Sequence, residues 1–578
     1  MMFRCLLLTL LLWLPTAYAL NESLAPEHAT GWQRTESVTA DHALVVSAHP
    51  LATRAGMYLL DNNGSALDAA IAIQAMLTLV EPQSSGIGGG AFLLYWDAQQ
   101  QQLFAYDGRE TAPAAATPDL FLNQDGSPIP WQQALVGGRS VGTPGVLRML
   151  ELAHQRHGRQ PWREAFAPAI QQADVGFDVT PRLHQLIASD INPGLKQTPA
   201  TRQYFFTEDG QPLPVGTRLR NPALAHSLRL IAQQGADALY TGPLADQIIA
   251  AVQTADTNPG RLQHGDLAGY QARERTPLCR PYRTYHVCGF PPPSSGGVTL
   301  LQILGLMNTQ AITLDQVPDA AFSHLLTQAS RLAYADRNRY VADSDFVDVP
   351  VKPLLAPSYL HQRALHINPE RDMGQAKAGR PVPLIRSDDQ APERPSTSHF
   401  VIRDAQGNMV SMTSSIEMAF GSTLMVGGFL LNNQLTDFSF VPEQNGRPVA
   451  NRIAPGKRPR SSMAPLIILD QDHTPVAALG SPGGSRIINY VAQSLLLMLH
   501  TELSLQEILQ QGHVSNRNGI TELEAGTTAE QLAPTLQALG HKIDIRELNS
   551  GIHALRLRQD GRWEAGVDPR REGEAQGH

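Results

Sequence analysis

The run APERPSTSHFVIRDAQGNMVSMTSS, which begins at Ala391, changes character at Thr397. Upstream, VPLIRSDDQAPERPS is crowded with Pro, Asp and Arg and is read as an exposed linker over about residues 380–396. Downstream, SHFVIRD and NMVSMTS are apolar, β-branched runs joined by AQGN, which predicts strand, Gly-containing turn, strand. A solvated connector set directly against a strand that opens Thr-Ser-His constrains the fold more than any other feature. Strands and helices are predicted on both sides of it, so the pattern implies one layered α/β body of α+β type built from both halves of the chain.

Several elements have their own signals. Ser65 with Asp68 three residues on opens ALDAAIAIQAMLTLVE as a capped, largely buried helix that stops at Pro82. PQSSGIGGG follows as a Gly-rich loop, and AFLLYWD with QLFAYDGR predicts a hairpin ending at Arg109. From Gly145 to about Gln234 the apolar spacing is helical, and further helices are predicted from about Val298 and about Ala321. Past Thr397, APLIILD and PVAALGS read as strands, RIINYVAQSLLLMLH as a helix, and KIDIREL and GIHALRLR as short closing strands.

Composition narrows the function classes. Of 578 residues, 42% are hydrophobic and 17% charged, enough apolar content for a sizeable core. A net charge of -8 without any Lys/Arg-rich run argues against nucleic acid as a partner. MMFRCLLLTLLLWLPTAYALNES carries Arg4, an apolar core and Ala17-Tyr18-Ala19, which predicts a signal peptide over 1–19 and a secreted or periplasmic protein. That core is shorter than the roughly 20 apolar residues of a membrane anchor. Beyond it the cysteines are Cys279 and Cys288, and a two-residue turn at Arg283-Thr284 sets them opposite one another, where a disulfide or two buried thiols both fit.

Three motifs carry little. Gly138-Arg139-Ser140-Val141-Gly142 matches a hydrolase nucleophile elbow, but Pro144 and Gly145 interrupt the turn such an elbow needs. GSPGGSR at Gly480 lacks the Lys-Ser/Thr of a phosphate-binding loop. His154 and His157 read as a solvated helix face, since no metal ligand joins them at suitable spacing.

The junction is different. Cutting the chain between Ser396 and Thr397 gives Thr397 a free α-amine with a pKa near roughly 8, whereas a peptide nitrogen has no basicity. A threonine with its own amine is nucleophile and general base at once.

TSHFVIRD, FGS, LLNNQLTDFS, RPRSSMAP and GSPGGSR, with EPQSSGIGGG and GRETAP upstream, resemble the signature blocks of γ-glutamyltranspeptidases, which are N-terminal nucleophile hydrolases. The blocks keep their order over roughly residues 41–573. The resemblance implies a four-layer αββα sandwich and a self-cut precursor with a large subunit over 20–396 and a small one over 397–578. It implies Thr397 as the nucleophile that takes a γ-glutamyl group from a donor such as glutathione and passes it to water or an amino acid, with no metal or organic cofactor. Gly483 and Gly484 match the oxyanion hole, though they also read as a turn. Arg109, Ser461 and Ser462 match the positions that hold the donor's α-carboxylate, although Arg109 alone would more often lie on a surface. Gln434 and Asp437 match the ammonium-binding positions, Asp437 fitting a turn cap as well. Ser415 stands where many relatives have a threonine that supports the nucleophile, and His399 is read as a packed neighbour.

Two departures qualify the match. Glu417 stands where an Asn is common, which adds a carboxylate to the ammonium pocket. VPEQNGRPVANRIAPGKRPR contains no aromatic residue, whereas some bacterial relatives carry a tyrosine on this lid, and this points to a more open acceptor side. Two rivals remain: an amidase of cephalosporin-acylase type acting on glutaryl side chains, and an uncut binding protein.

Overall fold

The structure is a computed structural model and describes residue 32 and residues 36–310, 319–391 and 396–578. The expected signal peptide lies outside the described residues. No helix among the described residues is long and apolar enough to cross a membrane.

Among the described residues, two seven-stranded sheets face one another. The first runs in the order Glu574–Gly577, Leu44–Ser47, Ser398–Arg403, Met409–Ser415, Gly90–Asp97, Gln102–Gly108, Arg273–Arg275. The second runs Val38–Ala40, Trp563–Val567, His553–Leu557, Pro475–Gly480, Leu466–Leu469, Tyr285–Gly289, Leu278–Tyr282. Each sheet takes strands from both sides of Thr397, as the layered reading requires.

The pleat sorts side chains into two cores. On the Ser398–Arg403 strand, Phe400 and Ile402 join Ile71, Ile73 and Leu77 of the Ala66–Val80 helix, while Val401 joins Ile467 and Leu479 of the facing sheet. Phe92 crosses the interface between the sheets to stack on Phe290, with ring centroids 4.3 Å apart. The Gly296–Met307 and Ile487–His500 helices cover the outer face of the second sheet. The layers are therefore helix, sheet, sheet, helix, the sandwich that the resemblance implied.

The Ala66–Val80 helix is buried along its whole length. Ser65 Oγ accepts the Asp68 N–H at 3.2 Å and Asp68 Oδ2 accepts the Ser65 N–H at 2.7 Å, the predicted capping box. Asp404, at the turn after the Ser398–Arg403 strand, accepts the Ala66 N–H at 3.0 Å and ties the helix start to that hairpin. Cys279 and Cys288 face each other in register, and their sulfurs are bonded.

Three expectations need correction. The expected exposed linker is mixed over residues 380–391: Arg380, Pro383, Ile385 and Gln390 are exposed, whereas Asp389 is buried and pairs with Arg460 at 2.9 Å and Ser387 bridges to Val449. Asp389 finds partners in place of water, which composition alone does not reveal. The rest of the proposed linker, 392–395, lies outside the described residues. His157 is buried, stacked on Tyr95 at 4.0 Å and bonded to the Tyr106 hydroxyl at 2.8 Å, so it belongs to an aromatic cluster and not to a solvated face. KIDIREL contributes to a separate three-stranded sheet, while Trp563–Val567 and Glu574–Gly577 complete the two main sheets.

Burial lowers the histidines at 49, 157, 541 and 553 from 6.5 to about 4. They are neutral in the fold, so their contribution is complete above pH 6.5 and lost as pH falls toward 4. The midpoint of thermal unfolding is expected to decline steadily over that window. Each proton taken up on unfolding contributes a slope of about 1.4 kcal/mol per pH unit. Calorimetry at stepped pH checks this.

Candidate active site

Thr397 directly precedes a strand paired on both sides, by Leu44–Ser47 and by Met409–Ser415. It is 4% exposed and its peptide is held from several directions. Ser396 Oγ donates to the Gln83 carbonyl at 2.5 Å, Arg571 Nη1 donates to the Thr397 carbonyl at 3.2 Å, and Ser398 Oγ donates to Glu81 Oε2 at 3.3 Å. Ser85 adds a bond to Ser398 Oγ at 3.0 Å. The loop over 81–86 thus grips the residues on either side of Thr397.

Ser415 ends the neighbouring strand and links three groups. Its hydroxyl donates to the Ser396 carbonyl oxygen at 2.8 Å, receives the Thr397 hydroxyl at 3.4 Å and accepts the Glu417 N–H at 2.8 Å. Glu417 has φ of 78°, a left-handed conformation uncommon outside glycine, and the Ser415 contact helps hold it there. Gly89 lies beneath: a Cβ on it would meet the Ser415 carbonyl oxygen at 2.2 Å, so this loop glycine cannot be replaced without displacing the strand end.

A small, partly open pocket lies at this point. Arg109, Thr397, Ser415, Glu417, Gln434, Asp437, Ser461, Ser462 and Gly484 line it, together with Met463 and Ile487. The sequence reading singled out all but the last two, which are unremarkable apolar residues in a polar list. Gly483 precedes Gly484, and their φ values of 132° and 58° lie where side chains are disfavoured.

Each wall has a structural reason. Arg109 follows the Gln102–Gly108 strand; its guanidinium meets Asp437 Oδ2 at 2.5 Å and the Arg460 carbonyl at 3.0 Å, so it is buried and not a surface residue. Gln434 Nε2 donates to the same Asp437 oxygen at 2.8 Å. Asn432 bonds to Gly88 and Gly142 and fixes the segment that carries Gln434 and Asp437. Behind Arg109, burial raises Glu110 to about 8, so this carboxyl is largely protonated at neutral pH. Glu110 stands inside GRETAP beside a singled-out residue, a signal that was present but not used.

Other candidates fall elsewhere. Ser140 is buried in a short helical turn, its hydroxyl donating to the Leu135 carbonyl at 2.9 Å. His399 is fully buried against Thr413 Oγ1 at 2.8 Å, and burial holds its imidazole well below the usual range. The lid run 441–460 is preceded by Phe438 and Phe440, but Phe440 stacks on Phe121 at 4.4 Å and Phe438 is buried, so neither lines the pocket.

The gamma-glutamyltranspeptidase family model matches residues 52–578. The glutathione hydrolase proenzyme of Bacillus subtilis (strain 168) is 35% identical over 547 residues, covering 92% of this chain and 91% of the relative. Among solved structures, a cephalosporin acylase from Bacillus halodurans superposes with a TM-score of 0.82 at 26% identity, covering 96% of this chain and 99% of that one. The γ-glutamyltranspeptidase of Helicobacter pylori gives 0.54 at 30% identity, covering 61% of this chain and 96% of that one. With the family model matched almost end to end, the chain belongs to the γ-glutamyltranspeptidase family.

Proposed function

We propose that the chain is an exported precursor that cuts itself before Thr397 and then acts as a γ-glutamyl hydrolase and transferase with Thr397 as nucleophile. The observation that carries this reading is the Ser415 hydroxyl, placed between Thr397 Oγ1 and the Ser396 carbonyl oxygen. Thr397 Oγ1 attacks the Ser396 carbonyl carbon, the C–N bond breaks and the nitrogen takes the hydroxyl proton, leaving an ester and a free amine. Ser415 stabilises the negative charge that develops on the Ser396 oxygen. Water hydrolyses the ester and restores the threonine hydroxyl.

The mature site repeats this chemistry on a donor. The Thr397 amine, with a pKa near roughly 8, takes the hydroxyl proton as Oγ1 attacks the donor's γ-carbonyl, then returns it to the departing amine. Backbone N–H groups at Gly483 and Gly484 receive the oxyanion. Water or an amino-acid amine then resolves the threonyl ester. A glutathione-like donor fits because the relative above is named for glutathione hydrolysis.

The pocket's internal ion pair explains why the donor should carry both charges of an α-amino acid. Arg109 and Asp437 are bonded to each other at 2.5 Å; an incoming α-carboxylate takes Arg109 while the ammonium takes Asp437, Gln434 and Glu417. A glutaryl donor has no ammonium, so its carboxylate would take Arg109 from Asp437 and offer no cation in return. This favours the γ-glutamyl reading over the acylase one, even though an acylase shares the fold.

Purified protein is expected as two fragments, the smaller beginning Thr-Ser-His-Phe, with Thr397→Ala left whole; intact mass and N-terminal sequencing decide it. An uncut, folded, unmodified chain sinks the mechanism. Ser140→Ala is expected to keep full activity. Glu417→Gln should lower the preference for a γ-glutamyl anilide over its glutaryl counterpart by about tenfold in kcat/KM. Equal turnover of the two donors by the unmodified protein favours the acylase.

A further inference from the structure

We infer that Arg337 is a positioning residue for donor recognition: it fixes the hydroxyl of Ser462, and through Ser295 the backbone of Ser461, so that the serine pair presents donors to a carboxylate. This rests on reading Ser461 and Ser462 as the carboxylate-binding pair. Arg337 sits on the Ala320–Tyr340 helix, 3% exposed, and the pocket wall lies in front of it. Its Nη2 donates to Ser462 Oγ at 2.6 Å and its Nε to Ser295 Oγ at 2.8 Å. Ser295 Oγ in turn donates to the Ser461 carbonyl at 2.7 Å, and the Ser295 N–H bonds the same oxygen at 2.7 Å.

The direction of these bonds is the argument. A guanidinium has five N–H donors and no acceptor, so Ser462 Oγ accepts from Arg337 and its own hydrogen points away from the guanidinium. Ser461 Oγ is set similarly, since it accepts the Met463 N–H at 3.1 Å. A carboxylate only accepts hydrogen bonds, so two hydroxyls oriented this way match it, whereas an acceptor-presenting serine would repel it. Arg337 also polarises the Ser462 hydroxyl, strengthening its bond to an anion. Arg109 shares its charge with Asp437, and Arg337 brings a second cation one hydroxyl away from the pocket.

The test is steady-state hydrolysis of γ-glutamyl-p-nitroanilide and of 4-aminobutyryl-p-nitroanilide, which keeps the amine and lacks the carboxylate, by proteins whose self-cleavage is checked by mass. Arg337→Gln should raise KM for the first donor roughly tenfold or more with kcat changed far less, and leave KM for the second unchanged. With Ser462→Ala already present, Arg337→Gln should add little, since both act through one contact. Ser295→Ala keeps the Arg337 charge but removes one of its anchors, and should give a smaller rise with the same donor selectivity. It carries the test if Arg337 variants do not fold. An equal loss on both donors, or effects that add fully with Ser462→Ala, overturns the inference. An unmodified protein that does not distinguish the donors overturns it together with the proposed function, and the two failures are thus told apart.

Discussion

Everything at the centre of this molecule depends on the antiparallel pairing of the Ser398–Arg403 strand with Leu44–Ser47 on one side and Met409–Ser415 on the other. The pairing fixes Thr397 at the end of a strand that cannot shift register without turning Phe400 and Ile402 out of one core and Val401 out of the other. It brings Ser415 alongside the Ser396–Thr397 peptide, because the two strands run in opposite directions and end together. The bond between Ser396 and Thr397 lies outside every strand, so breaking it costs no ladder hydrogen bond. Each main sheet contains strands from both sides of that bond.

The pocket beside Thr397 is built on a second layer of polar contacts that reaches back to the segment before the junction. Asp389 pairs with Arg460 and accepts from Asn451, whose side chain also donates to the Asp437 carbonyl at 2.7 Å. The Arg460 carbonyl accepts from Arg109, so the segment upstream of Thr397 is tied to the groups that would read the donor. These charges are buried and bonded to neighbouring groups, which holds their geometry while leaving little freedom to accommodate a ligand without exchanging partners. On the proposed reading, a zwitterionic head group makes that exchange evenly and a donor with a single charge does not.

The blocks that carry the family resemblance are far apart in the chain, yet Arg109, Thr397, Ser415, Gln434, Asp437, Ser461, Ser462 and Gly484 come together around one pocket. Arg337, Glu81 and Arg571 were not legible in the same way. Each acts on a partner far away in the chain, and nothing in the neighbouring residues signals which partner that is. The same holds within the polar run before Thr397: composition shows that Asp389 is charged, but only the folded neighbours show that it is buried and paired with Arg460.

Local pattern and chemistry by themselves determined the capped Ala66–Val80 helix, the hairpin after Thr397 and the register of the two cysteines. Those depend on contacts within a few residues. The tertiary structure alone decided the order of the fourteen strands in the two sheets, the burial of His157 and the direction of each hydrogen bond at the pocket wall. These are set by which distant segments compete for the same face or the same lone pair, a competition resolved only when all of them are packed together.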